Sequence, residues 1–396
     1  MIKFKESSEL DYTIFESCNK ENEVKLEGLI MVKNQENYIL DTLNSIVNIC
    51  DTITVVDTGS TDSTVSNVMK YYPNVQIKFL EWEENYAKMR NKCLKFISVG
   101  SWVLFIDSDE TIDTNLNYDV IHNFLNHIDE LYPNKDKICT VKQRHIGRPA
   151  FFHIERFVKK TDTLYYAGYV HEEPRSSSEY GMIKLNTDID LINQGLTNQE
   201  IAKFSKETRY CNLLLKNIEK EPDNPRWVSL ISPTMIEQNY ISKTDYMLLL
   251  KKHILKNVCG EISKNNLKNG PYLSYLLERY CVSLIKWDDR KAIPYIQLSK
   301  ELFPYDINFI VFEMTLFLKN IEHELSQKLK EIINYAEETD KERIHEDSEG
   351  TEEALTGIVV RLLCKLGQYE QARKINGIIS DELVQKMLTN ENKILK

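Results

Sequence analysis

The chain has 396 residues, with 50 lysines and arginines against 60 aspartates and glutamates, a formal charge of −10. At 42% hydrophobic and 28% charged the composition is globular, and the length suits two or three domains with a full core. No basic block offsets the acidic balance, which argues against general nucleic-acid binding, because neutralising phosphates needs clustered cations. The opening MIKFKESSEL lacks the apolar core of a signal peptide, and the longest aliphatic runs, such as Leu29–Val32 and Val103–Ile106, are far too short to span a bilayer. A soluble cytoplasmic protein is expected. The eight cysteines are scattered with no CxxC pair, the pattern of reduced, mostly buried thiols rather than a zinc site or redox dithiol.

From about residue 26 short apolar runs alternate with helical periods, as a parallel α/β sheet requires. Leu29–Val32 is the first predicted strand, and Ile39, Leu40, Leu43, Ile46 and Val47 follow at helical spacing. Ile53–Val56 is a second strand, Val65–Tyr72 a helix, Val75–Leu80 a third strand, Tyr86–Ile97 a helix and Trp102–Ile106 a fourth strand. After residue 195 the pattern changes to long amphipathic stretches. Lys286–Ala292 followed by Pro304, and Gly367–Ala372, resemble the second half of a tetratricopeptide repeat, and Glu221–Trp227 resembles an inter-repeat turn. The acidic stretch Glu337–Glu353 reads as a solvated loop. The expected division is an N-terminal extension over 1–24, an α/β domain over 25–195 and an all-α, repeat-like domain over 196–396.

Ligands of an open α/β sheet bind beyond the carboxyl ends of its strands. Two acidic groups stand at such ends. Val55-Val56 runs into Asp57-Thr58-Gly59-Ser60-Thr61-Asp62, where Gly59 permits a tight turn and Asp57 is placed to accept hydrogen bonds from a base or ribose. Trp102–Ile106 delivers Asp107-Ser108-Asp109-Glu110, two carboxylates two residues apart, the arrangement a hard divalent cation on a diphosphate wants. The same residues with Thr111 fit the DxDxT signature of haloacid-dehalogenase-type phosphatases, in which Asp107 would be the nucleophile. Those enzymes carry it on the first core strand, whereas here βα units precede it, and the acidic pair Asp288-Asp289, the one obvious later candidate, falls in a repeat-like helix. A dinucleotide dehydrogenase is disfavoured, since Lys33-Asn34-Gln35-Glu36 stands where GxGxxG would be. Further on, Tyr169-Val170-His171-Glu172-Glu173-Pro174 sets an imidazole beside two carboxylates, giving a candidate third metal ligand in His171 and a candidate base in either glutamate.

Taken as a set, Val32-Lys33-Asn34-Gln35-Glu36, Asp57–Asp62, Trp82 with Ala87, Arg90 and Asn91, Trp102–Glu110 and Val170–Pro174 resemble the family 2 glycosyltransferases of GT-A fold. The layout is similar to the glycocin S-glycosyltransferases of sublancin type, which append repeat-like helices to the transferase domain and attach a sugar to a cysteine of a bacteriocin precursor. The chain departs from the family at Asn85-Tyr86, where Asp-Phe is usual, and at Met89, where a small residue is usual. It also lacks the Gln-x-x-Arg-Trp motif of processive synthases.

The resemblance implies a UDP-sugar donor, UDP-glucose foremost, and a precursor-peptide acceptor. It places Val32, Asn34, Glu36, Asp57, Arg90, Asp107, Ser108 and Asp109 at the nucleotide sugar. Asp109 and His171, with Asp107, would hold Mn²⁺ or Mg²⁺, and Glu172 is the expected base for an inverting transfer. A homodimer through the helical domain is a further expectation.

Overall fold

The computed structural model describes residues 1–7, 9, 11–16, 24–112, 116–145, 151–194, 206–287, 291–338 and 352–395. It divides into two compact units, Met1–Tyr240 and Ile241–Lys396.

In chain order the first unit begins with β1 (Ile2–Glu6), β2 (Thr13–Phe15), β3 (Leu26–Val32), α1 (Ile39–Ile46), β4 (Thr52–Asp57), α2 (Thr64–Tyr71), β5 (Gln76–Phe79) and α3 (Tyr86–Cys93). It continues with β6 (Trp102–Asp107), β7 (Glu110–Ile112), α4 (Tyr118–Leu131), β8 (Asp136–His145), β9 (Phe151–Lys159), β10 (Leu164–Ala167), β11 (Glu173–Ser176) and β12 (Met182–Asn193). Three helices end it: α5 (Lys206–Lys220), α6 (Pro225–Ser229) and α7 (Pro233–Glu237).

The main sheet runs β2-β1-β12-β8-β9-β6-β3-β4-β5, with β7 on β12; β10 and β11 form a separate hairpin. Strands β6, β3, β4 and β5 are mutually parallel, and β9 joins antiparallel to β6. The expected βα series is present almost residue for residue, because both strand faces are apolar. On β6, Trp102, Leu104 and Ile106 enter a core shared with α1, α2 and α4, while Val103 and Phe105 face a second core shared with α3 and β10. Helix α1 buries Ile39, Leu43 and Ile46 on one stripe. Asn85 and Asn117 start α3 and α4, their side-chain oxygens accepting from Lys88 N at 2.8 Å and Val120 N at 2.9 Å.

Residues 1–24, expected as an extension, instead supply β1 and β2, with Ile2, Phe4 and Phe15 in the core. The first unit also runs past 195 to Tyr240. Its later helices lock onto the 167–170 turn: Asn217 accepts from Tyr169 N at 2.6 Å and donates to the Val170 carbonyl at 2.9 Å, and Trp227 packs on Gly168. The Glu221–Trp227 turn therefore belongs to the α/β unit.

The second unit is helical: α8 (Lys243–Ile254), α9 (Leu273–Trp287), α10 (Ala292–Leu302), α11 (Ile307–Glu338), α12 (Glu352–Lys365), α13 (Tyr369–Asn376), α14 (Glu382–Met387) and α15 (Thr389–Leu395). Ala292 and Ala372, the small residues of the repeat-like segments, are fully buried. Asp288-Asp289 and most of the acidic stretch, 339–351, lie outside the described residues. Among described residues, Cys50, Cys93, Cys139, Cys211, Cys281 and Cys364 are buried free thiols and Cys259 is exposed; Cys18 lies outside them. No described helix is long and apolar enough to cross a membrane.

Gly168 has φ +103°, and a Cβ there would sit 2.7 Å from the Trp227 ring. Gly168→Ala meets both backbone strain and overpacking, so it should cost roughly 1–3 kcal/mol. Denaturant unfolding would show this as a lower midpoint, and Trp227→Leu in the same background should recover only the steric part.

Candidate active site

Register brings the carboxyl ends of three strands side by side: Val32 pairs with Asp57 and Met31 with Asp107. Around this crevice the predicted nucleotide residues knit two loops together. Asp57 is buried, and its carboxylate accepts from Gly59 N at 3.1 Å and from Ser60 N at 2.8 Å. Asn34, at φ 53°, donates its backbone N–H to Ser60 Oγ at 2.9 Å, and its Oδ1 accepts from Thr61 N at 2.7 Å. Glu36 accepts from Ser63 N at 2.9 Å. The Val32 side chain is in the core, and its carbonyl accepts from Thr58 N at 2.9 Å. These residues shape the rim of the crevice by bonding to one another.

A chain of ion pairs runs from the core to the surface at the end of β6. Glu110, fully buried, accepts from Arg156 Nε at 2.8 Å and Nη2 at 2.7 Å, and from Gln143 Nε2 at 2.5 Å. The same Arg156 Nη2 donates to Asp107 Oδ2 at 2.7 Å. The other oxygen of Asp107 lies 3.4 Å from Arg90 Nη2, and Arg90 Nε donates to Glu172 Oε1 at 2.5 Å. Arg90 stacks over Phe105, its guanidinium 4.2 Å from the ring centre. Burial opposes charge on both arginines, yet Glu172 and Asp107 hold Arg90, and Asp107 and Glu110 hold Arg156, above the usual guanidinium range.

The structure therefore unites Asp107, Arg90 and Glu172 from three separate motifs. Ser108 is buried, its carbonyl accepting from Thr42 Oγ1 at 3.0 Å. Asp109 sits half-buried on the following turn, its carbonyl accepting from Gln194 N at 2.9 Å. His171 has a left-handed backbone, φ 52°, and its ring meets Tyr210 edge-on with centroids 6.0 Å apart. Desolvation of the imidazole, with Arg226 adding and Glu172 opposing, lowers its pKa, so it is neutral near pH 7 and has the protonation state of a metal ligand. Glu172 must share or break its bond to Arg90 before it takes a proton.

Several contributors had no clear sequence signal. Arg156 is one of several cations in the segment HIERFVKK, and its partners are 46 and 49 residues away. Tyr210 and Arg209 come from α5, beyond the expected domain end. Tyr210 Oη lies 3.4 Å from Tyr86 Oη, and Arg209 stacks over Trp82 at 4.6 Å while donating to Glu84 at 2.9 Å. Arg175, just after the His171-Glu172 pair, makes a bidentate pair with Glu221, at 2.7 and 2.9 Å.

For the divalent cation implied by the DxD pattern, the donor chemistry fits: two carboxylates that reach solvent and a neutral imidazole are hard ligands of the right kind. Among the described residues no three His, Cys, Asp or Glu side chains are gathered as a cage. A magnesium-like ion commonly takes one or two carboxylates and completes its shell from phosphates and water, so such a cage is not required.

Residues 29–161 match Glycosyl transferase family 2. The chain is 21% identical over 362 residues to the SPbeta prophage-derived glycosyltransferase SunS of Bacillus subtilis, covering 90% of this chain and 81% of that protein. It is 26% identical over 199 residues to an uncharacterized glycosyltransferase of Rickettsia conorii, covering 50% of this chain and 68% of that one. A crystal structure of S. aureus TarS 1–349 with UDP-GlcNAc aligns at 16% identity and TM-score 0.36, covering 74% of this chain and 90% of that chain. The first unit carries a family 2 glycosyltransferase domain of GT-A type. The chain is a glycosyltransferase that resembles the sublancin-type enzymes, and the phosphatase reading of Asp107 falls with that assignment.

Two outcomes follow from the charge network. Arg156→Met leaves Glu110 buried without its guanidinium and should cost about 3–5 kcal/mol in denaturant unfolding, part of which Glu110→Gln restores in the double variant. Glu221 is held at about 2 by Arg175 first, with Asn224 and Trp227 assisting against burial, compared with an ordinary 4.5. Its stabilisation is complete above the unfolded value and lost as pH falls toward 2. Melting curves of wild type and Glu221→Gln should differ by roughly 1–2 kcal/mol at pH 7, discounted for solvent screening, and converge only as pH falls through about 2.

Proposed function

We propose that this chain moves a hexose, glucose by the family resemblance, from a UDP-sugar to a cysteine side chain of a bacteriocin precursor peptide, with serine as a second acceptor and inversion at the anomeric carbon. The observation that carries this reading is the extent of the likeness to SunS. The family 2 match ends at residue 161, but the SunS likeness covers 90% of the chain and so includes most of the helical unit. The helical unit is accordingly assigned to the peptide, through the concave surface that stacked helical pairs provide.

In this scheme the loops tied together by Asn34, Glu36 and Asp57 frame the uridine, with Val32 and Ser108 holding the crevice floor. Asp109 and His171, aided by Asp107, would hold Mn²⁺ or Mg²⁺, which when bound offsets charge on the departing diphosphate. Arg90 fixes the direction of Glu172 and adds positive charge beside the crevice. The acceptor sulfur attacks the anomeric carbon from the face opposite the diphosphate. A thiol, with an ordinary pKa of about 8.5, already contributes some thiolate near neutrality, so Glu172 matters less for cysteine than for serine. The reducing cytoplasm keeps such an acceptor free.

Intact-mass analysis of candidate precursor peptides incubated with a panel of nucleotide sugars and Mn²⁺ tests the reading. One hexose on a cysteine is expected, abolished by excess chelator and by Asp109→Ala, with the melting temperature of that variant unchanged. Replacing the acceptor cysteine by serine should slow transfer by up to roughly 10²–10⁴-fold if the site lacks base assistance, and much less if Glu172 supplies it. Transfer only to carbohydrate acceptors, or full activity of Asp109→Ala, would overturn the assignment.

A further inference from the structure

Tyr166, on β10, is 5% exposed, and its hydroxyl is sealed from solvent with no hydrogen-bond partner among the described residues. A buried tyrosine hydroxyl ordinarily finds a partner, and an exception asks for a reason. Packing is not the reason, since phenylalanine would fill the same space. The ring stands edge-on to Phe105 with centroids 6.1 Å apart. Asn91 holds the Tyr166 backbone, its side chain donating to the carbonyl and accepting from the amide, both at 2.8 Å. The hydroxyl is therefore fixed in place. Burial, opposed by Arg90, pushes the phenol up to about 12, so it keeps its proton near neutrality, and the charges of Glu155, Glu172 and Arg156 reach it as well.

Arg90 lies over two rings, its guanidinium carbon 4.2 Å from the centre of Phe105 and 5.5 Å from that of Tyr166. Its Nε donates to Glu172 at 2.5 Å and its Nη2 reaches Asp107 at 3.4 Å. Glu172 has to leave Arg90 before it can face an acceptor. A buried guanidinium that loses a carboxylate and gains nothing in exchange is strongly disfavoured.

We propose, resting on the transfer reading in which Glu172 is the base, that Tyr166 is a positioning residue whose hydroxyl oxygen is the second seat of the Arg90 guanidinium, taken up when Glu172 turns to the acceptor. The lone pairs of the hydroxyl suit a guanidinium N–H, and a hydrogen bond from a charged donor is among the strong ones. The two rings keep Arg90 in place through the exchange, and Asp107 keeps it paired. The hydroxyl is thus unsatisfied while Arg90 holds Glu172 and satisfied once Glu172 is released.

Tyr166→Phe removes the hydroxyl and keeps the ring. Without substrate, its melting temperature should equal or exceed that of wild type, because an unsatisfied buried group is gone. In the Glu172→Ala background Arg90 has lost its carboxylate and moves to the second seat, so there Tyr166→Phe should lower the melting temperature. Hydrolysis of UDP-glucose with Mn²⁺ gives a readout that needs no peptide. Water's oxygen bonds the anomeric carbon, one of its protons passes to Glu172 and UDP leaves with the bonding electrons. Tyr166→Phe should lower kcat roughly ten- to a hundredfold, the size of one hydrogen bond to a charged group, and leave KM unchanged. A merely structural role would lower the melting temperature in both backgrounds alike. That result, or an unchanged kcat, would overturn the proposal. Failure of the transfer reading shows differently: hydrolysis without hexose on any peptide overturns the acceptor assignment alone, and a wild type that does not turn over UDP-glucose overturns the donor, while the sign reversal in melting still decides the second seat.

Discussion

The ion-pair chain Glu110–Arg156–Asp107–Arg90–Glu172 is the constraint on which the rest of the site depends. Its innermost carboxylate is fully buried, and such a charge persists only with close, well-directed partners. Arg156 supplies them, so the end of β6 and the turn after it are fixed from inside. The chain sums three negative and two positive charges. Asp107 stands between both guanidinium groups, and its field is largely neutralised before any ligand arrives. Asp109, half-buried on the next turn, is the second carboxylate at this strand end.

The second half of the site is held by hydrogen-bonded clamps. Asn91 donates to the Tyr166 carbonyl and accepts from its amide, both at 2.8 Å. Tyr86 N donates to the Tyr169 carbonyl at 2.9 Å, and Asn217 closes the turn from the other side. Each clamp fixes backbone leading into His171 and Glu172, whose geometry includes a left-handed histidine. Such a conformation persists when its surroundings over-determine it. Helix α5 therefore belongs to the scaffold of the candidate site, although it follows the sheet in sequence.

Much of this was legible in the sequence where one local rule sufficed. The parallel strands appear as apolar runs because both their faces are buried, and the carboxylates at 57, 107 and 109 stand out as polar residues ending such runs. Strands β1 and β2 were not legible: IKFKE alternates over only five residues, and its partner β12 lies about 180 residues away. Arg156 was hidden for the same reason, since a cation in a strand reads as a solvent-facing residue. The boundary at 195 marked a real change of periodicity, but periodicity reports the type of element and not what it packs against. Trp227 and Asn217 join the first unit through contacts made with the 167–170 turn.

The family 2 match and the site end at different places, and the difference divides the chemistry. Asp57, Arg90, Asp107 and Asp109 lie within residues 29–161, the portion common to the family. His171, Glu172, Tyr210 and the Arg175–Glu221 pair lie beyond it. Donor handling needs the same diphosphate contacts whatever the acceptor, so it suits the common portion. On the proposed reading, side chains of α5 and the β10–β11 hairpin hold the acceptor's reacting residue, while the helical unit takes the rest of the peptide. Because Arg90 of the common portion bonds directly to Glu172 of the other, substitutions that retune the acceptor side act on a carboxylate whose direction is set from the donor side. On that reading the two halves of the reaction would be coupled through the Arg90 guanidinium.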